Sequence, residues 1–149
     1  MKIFIGADHQ GAILVDDIIN YLKEQNHEVY KTKLTNSDMD DYPDFAYDVC
    51  KNVISNNALG ILICGSGIGI SIAANKVKGI RCARVFNTED AYTCKNHNGC
   101  NVIAFSASLN IESIKEILDT FINTPYPYEE RHLRRIDKVN RIEENNYEL

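Results

Sequence analysis

Apolar residues recur along this chain in two alternating rhythms. Short branched runs at residues 2–7, 27–31, 59–63, 80–86 and 101–105 each give way to a stretch with helical spacing or helix-forming residues. The runs predict buried strands and the stretches between them predict helices. Helices are expected over 12–24, carrying Leu14, Ile18, Ile19 and Leu22, and over 44–55, carrying Phe45, Val49, Val53 and Ile54 behind a first-turn Pro43. Others should start near Gly67, run over 88–95 with Thr88 as cap, and cover 111–122. A last helix, from 129 to about 144, is too polar for a core and belongs at an edge or against another subunit. Strand–helix alternation of this kind predicts an α/β chain with a five-stranded parallel sheet, in one domain over 1–149.

The stretch 59–76 departs from simple packing. Leu59, Gly60, Ile61, Leu62 and Ile63 form a run suited to burial on both faces of a parallel sheet, and Cys64 falls at its carboxyl end. Gly65, Gly67 and Gly69 then alternate with Ser66 and Ile68. These glycines are expected to take positive φ and leave several amides free to converge on one anion, with the positive end of the following helix behind them. A thiol beside such a cradle has its thiolate form stabilised and becomes usable as a base or nucleophile. A cysteine at a strand end is otherwise most often a core residue, and the glycine turn is what favours chemistry. The spacing is not a dinucleotide fingerprint, because Gly-x-Gly-x-x-Gly is absent and residues 84–86 supply no acid; no Gly-Lys-Ser/Thr makes a Walker loop either.

Composition narrows the partners. A net charge of −5 argues against nucleic acid or an anionic membrane as a general partner, so any anion site must be local. No apolar run reaches a membrane span, and residues 1–3 lead into a strand without a signal-peptide layout. Five cysteines, odd in number and irregular in spacing, fit no disulfide framework and suit a reducing, cytoplasmic setting.

Asp8 and His9 follow the first strand, at the sheet edge where parallel α/β folds bind ligands; the alternative is that Asp8 caps a helix and His9 is a polar loop residue. The acidic loop 34–44 reads as solvated, and Tyr42 as a packing residue unless that loop folds over the pocket. Arg131 and Arg135 stand four apart on the last helix, able to clamp phosphate or to form part of a solvated basic face with Arg134, Lys138 and Arg141. Cys94-x-x-His97-x-x-Cys100 offers three soft ligands, one short of a structural zinc set. His97 precedes the fifth strand and so should lie at the edge opposite Cys64 and Asp8. His97 and Asn98 are therefore expected to serve the pocket of a neighbouring copy in a symmetric dimer.

Together these residues resemble the type B ribose-5-phosphate isomerases, a family that includes the galactose-6-phosphate isomerase subunits. The resemblance runs through Gly6-Ala7-Asp8-His9, Asp41-Tyr42-Pro43, Cys64-Gly65-Ser66-Gly67-Ile68-Gly69 with Ala73-Ala74-Asn75-Lys76, and Gly79-Ile80-Arg81. It continues through His97-Asn98, Asn101-Val102, Arg131-His132 and Arg135. It implies a Rossmann-like three-layer αβα sandwich with an extra C-terminal helix, built as a homodimer or a tetramer with shared sites. The implied activity is interconversion of ribose 5-phosphate and ribulose 5-phosphate through an enediolate, without metal or cofactor, in the non-oxidative branch of the pentose phosphate pathway.

Carried onto this chain, Cys64 would move the proton and Ser66 would help position it. Amides of Gly65, Gly67, Ile68 and Gly69 would hold the enediolate oxygen. His97, with Asp8 close by, would open the sugar ring. His9, Arg131 and Arg135 would hold the phosphate, Asn98 the hydroxyls, and Tyr42 would join the substrate-binding set. Some members use a glutamate one residue after the third glycine; Ile70 stands there, which places this chain with the cysteine type. Ser108 stands where many members carry a phosphate-holding arginine, leaving two arginines and a histidine, with Arg84 as a further candidate. Rival readings are a galactose-6-phosphate or allose-6-phosphate isomerase and a non-catalytic sugar-phosphate binder. A thiol phosphatase would need Cys-x5-Arg, and Ile70 again occupies that place.

Overall fold

A computed structural model describes residues 1–149. The chain order is β1 (Lys2–Ala7), α1 (Ala12–Glu24), β2 (Glu28–Lys31), α2 (Tyr42–Asn56), β3 (Leu59–Cys64), α3 (Ile68–Ala74), β4 (Cys82–Arg84), α4 (Thr88–Asn96), β5 (Val102–Ser106), α5 (Ile111–Asn123) and α6 (Glu130–Glu143). All five strands are parallel, in the order β2-β1-β3-β5-β4. Central β3 is buried along its whole length, as its unbroken apolar run requires.

Alternation along the strands splits the core into two layers around the sheet. Ile3, Ile5, Ile61, Ile63, Ile103 and Phe105 pack with α1, α4 and α5. Leu62, Cys64, Val102 and Ala104 pack on the other side with α2 and α3. The result is the expected α/β sandwich of three layers plus an added terminal helix. The loop after β1 leads to a helix on one face and the loop after β3 to a helix on the other, and the crevice between such diverging loops is where ligands of open α/β sheets bind.

Several boundaries differ from the sequence reading for local reasons. Helix α2 starts at Tyr42, because Asp41 is still extended and proline is tolerated in a first turn. Strand β4 keeps only three of the seven expected residues: it is an edge strand whose ladder with β5 spans Cys82–Arg84. Thr88 is not the cap of α4; Asn87 is, its side chain accepting the Asp90 N–H at 2.8 Å. Helix α6 lies on the amino edge of β4, tied by Gly79 N–H to Glu143 at 3.0 Å and by Arg81 to Asn140 at 3.3 Å. Its Leu133, Val139 and Ile142 remain about half exposed, at 49%, 52% and 57%.

Candidate active site

Register fixes the carboxyl edge of the sheet, where Cys64 pairs with Ser106 and Ala7 with Ile63. Cys64 is 4% exposed and faces the α2–α3 layer. Its sulfur accepts the Gly67 N–H at 3.2 Å. The Ile68 amide donates to Ser66 Oγ at 3.1 Å, while the amides of Gly65, Ser66 and Gly69 meet no acceptor within the chain. Three donors of the turn that follows Cys64 are thus left open.

The glycines act for different reasons than expected. Only Gly67 has positive φ, +77°, and a Cβ there would lie 2.8 Å from the Phe105 backbone. Gly69 is needed for proximity: its Cβ would fall 2.6 Å from the Tyr42 ring. Gly65 has neither constraint, a Cβ there meeting only Gln10 at 3.6 Å. Helix α3 has seven residues, so the oriented amides carry the positive field more than a long helix axis does.

The acidic loop folds over this edge. Asn36 donates to the Ala7 carbonyl at 2.8 Å and to Asp40 at 3.0 Å. Asp40 accepts from His9 Nδ1 at 2.7 Å and from the His9 amide at 3.1 Å. That hydrogen bond raises the His9 pKa against a smaller desolvating effect. Burial opposes ionisation of Asp40, yet the hydrogen bonds from His9, Asn36 and Ser37 hold its carboxyl at about 2. Asp8 is buried beside Ile63, with Oδ1 accepting the amides of Gln10 at 3.0 Å and Gly11 at 3.3 Å. It organises the turn before α1, whose cap position is Gly11. Tyr42 packs its ring over Gly69, beside the glycine turn at this edge.

His97 lies at the opposite edge, as the strand order demands. It ends α4 and stacks on His132 of α6, ring centroids 4.3 Å apart. Burial, then the charges of His97 and Arg131, depress the His132 pKa, and its buried Nε2 has no hydrogen-bond partner. Arg81 braces the loop, donating to the carbonyls of Asn98 at 3.2 Å and Gly99 at 3.0 Å. Asn98 and Arg135 line one cavity of about 700 Å³ against α6, while Arg131 sits outside that lining and pairs with Glu129 at 3.0 Å. One copy therefore carries two separated clusters: Cys64, Ser66, Asp8, His9 and Tyr42 at one edge, His97, Asn98 and Arg135 at the other.

The family described as Ribose/Galactose Isomerase matches residues 3–139. This chain belongs to that family. Ribose-5-phosphate isomerase B of Escherichia coli (strain K12) is 39% identical over 145 residues, covering 96% of this chain and 97% of that protein. The structure of Clostridium thermocellum ribose-5-phosphate isomerase B superposes with a TM-score of 0.92 at 38% identity, over 99% of this chain and 100% of the other. That of the Mycoplasma genitalium isomerase B with bound ribulose-5-phosphate gives 0.89 at 38% identity, over 96% of each.

Within this isomerase fold, Cys94, His97 and Cys100 do not converge as metal ligands. The one trio of such atoms within 4.8 Å is Asp8, His9 and Asp40. Its closest contact is the His9–Asp40 hydrogen bond itself. Sequence reasoning missed Asp40, hidden among the aspartates of a loop read as solvated. It also missed Ser106, which donates to the Gly65 carbonyl at 2.6 Å and supports the glycine turn. No helix of the chain is long and apolar enough to cross a membrane.

Proposed function

We propose that the chain, acting as one domain over residues 1–149, interconverts ribose 5-phosphate and ribulose 5-phosphate in the non-oxidative branch of the pentose phosphate pathway. The observation that carries this reading is the Cys64 sulfur accepting the Gly67 amide, in a turn whose Gly65, Ser66 and Gly69 amides are left without an acceptor in the chain. Moving a proton between a carbonyl carbon and its neighbour requires one poised base and a preorganised cradle for the enediolate oxygen. Cys64 removes the proton at C2 of the aldose and returns it at C1, while the proton of the O2 hydroxyl passes to O1. The Ser66 hydroxyl, whose oxygen already accepts the Ile68 amide, keeps its hydrogen for a sugar oxygen. Because the Gly67 and Ile68 amides are engaged by Cys64 and Ser66, the oxyanion falls to those of Gly65, Ser66 and Gly69.

The phosphate binds at His9, whose positive charge Asp40 sustains, and at Arg131 and Arg135 of a second copy. His97 of that copy, approaching Asp8, opens the sugar ring, and its Asn98 binds hydroxyls. This two-copy site is supported by the separation of the two clusters in one chain and by the half-exposed apolar side chains of α6, which a partner can cover. Five free thiols suit a cytoplasmic enzyme.

The test is turnover of the purified chain, without added metal, on ribose 5-phosphate, galactose 6-phosphate and allose 6-phosphate in parallel. Ribose 5-phosphate is expected to be isomerised fastest. A faster hexose phosphate would reassign the substrate, and no turnover of any would make the chain a binder.

Asp40→Asn probes the phosphate end. His9 is raised in the folded chain, so its cation is fully present below the ordinary 6.5 and is lost as pH climbs through the raised value. The wild-type KM should therefore stay low past pH 6.5. Without the Asp40 carboxylate, KM is expected to begin rising nearer that value, by about threefold to tenfold at pH 7.5, with kcat little changed. Superimposable KM profiles would remove His9 from the phosphate site.

A further inference from the structure

Arg84 ends the edge strand β4, yet its guanidinium reaches past β5 to the loop after β3. Its Nε donates to the Ser66 carbonyl at 2.8 Å. Its guanidinium carbon sits 4.0 Å from the Phe86 ring centroid, and it forms no ion pair with any carboxylate of the chain. Ser106, at the end of the intervening strand, holds the neighbouring Gly65 carbonyl at 2.6 Å.

The Ser66 carbonyl and the Gly67 N–H are two ends of one planar peptide and point in opposite directions. Arg84 holds the first end, and the second donates to Cys64 Sγ at 3.2 Å. A cation on a carbonyl fixes the peptide plane and draws electron density away from its N–H, which strengthens that group as a donor. We propose that Arg84 is a positioning residue for the Cys64 thiol, acting through the peptide between Ser66 and Gly67. The role rests on reading Cys64 as the reacting group. Arg84 thereby stabilises negative charge on the sulfur without touching it, and its own charge faces no counter-ion that would dilute the effect.

Reactivity of Cys64 can be read without substrate, by mass-spectrometric quantification of its peptide after timed iodoacetamide treatment, apart from Cys50, Cys82, Cys94 and Cys100. Arg84→Met is expected to slow carboxamidomethylation of Cys64 at pH 7.5 about tenfold. It should lower kcat about tenfold, with KM within about twofold. Arg84→Lys, which keeps a cation able to reach the same carbonyl, should fall closer to wild type than to Arg84→Met. If Arg84→Met does not fold by circular dichroism, Arg84→Gln carries the comparison, with the same expected loss because the charge is gone. A wild-type alkylation rate in the neutral variant, or Arg84→Lys as slow as Arg84→Met, overturns the proposal. A raised KM with unaltered alkylation also overturns it and makes Arg84 a substrate ligand. Wild-type protein that fails to isomerise any sugar phosphate refutes the proposed function instead, while the alkylation comparison still stands.

Discussion

Cys64→Ala is expected to lower turnover on ribose 5-phosphate by about a thousandfold, the scale of a lost general base, while the chain stays folded. The catalytic loss follows from the proposed role of Cys64 as the one base of the site. Ser66 holds the Ile68 amide, and Asp8 has Oδ1 committed to two backbone N–H groups. The structural effect is small because Cys64 packs among Ala46, Ile70 and Ala74, where deleting one sulfur leaves a void smaller than a deleted leucine would. Such a change costs about 1 kcal/mol, or about 2–4 °C in melting temperature for a chain of this size. Cys64→Ser sharpens the test: it keeps the volume and a hydrogen-bond group, but a serine oxygen does not ionise near neutral pH. Both variants should be inactive with melting curves close to wild type. Turnover within tenfold of wild type in either would transfer the proton step to another residue.

The fold was legible because period and position agree along most of the chain. Leu59, Ile61, Leu62 and Ile63 have no polar alternation and became the central strand, buried on both faces. Ile3 and Ile5, Ile61 and Ile63, and Ile103 and Phe105, each pair spaced by two along a strand, joined Ile18 and Leu22, one helical turn apart in α1, in one core layer. Edge strand β4 was overextended because an apolar run does not reveal whether a second neighbour exists to pair with it. The candidate loop was legible as a tight strand-to-helix turn, because a buried apolar run ending in Cys64 and three alternating glycines leaves little else for the chain to do there. What the glycines do individually was not legible, since the need at Gly69 arises from Tyr42, and that at Gly67 from Phe105, both distant in sequence. Asp40 and Ser106 escaped for the same reason, as did the bond from Arg84 to Ser66. Each acts on a residue 31, 41 or 18 positions away, and no local pattern marks a side chain whose partner is brought to it by folding.

The separation of Cys64 and His97 leads to a result that no single-copy site can give. Cys64→Ala and His97→Asn chains, each inactive alone, are expected to recover about a quarter of wild-type activity when unfolded together and refolded at equal amounts. The figure follows from a two-fold dimer with sites shared across its axis. Random pairing makes about half the dimers hybrid. In each hybrid one site inherits both defects, and the other joins an intact Cys64 edge to an intact His97 edge. The topology supports this expectation: β3 and β5 are parallel, Cys64 stands at the end of one, and His97 precedes the start of the other. The sheet itself therefore lies between them in one copy. His97 is also held to that edge by its stack on His132 and by Arg81 on the adjoining carbonyls. Recovery should require co-refolding or slow exchange, and vanish when the two variants are mixed below the dimer dissociation constant. Co-refolded mixtures that remain as inactive as their parents would place the whole reaction within one copy and remove His97 from it.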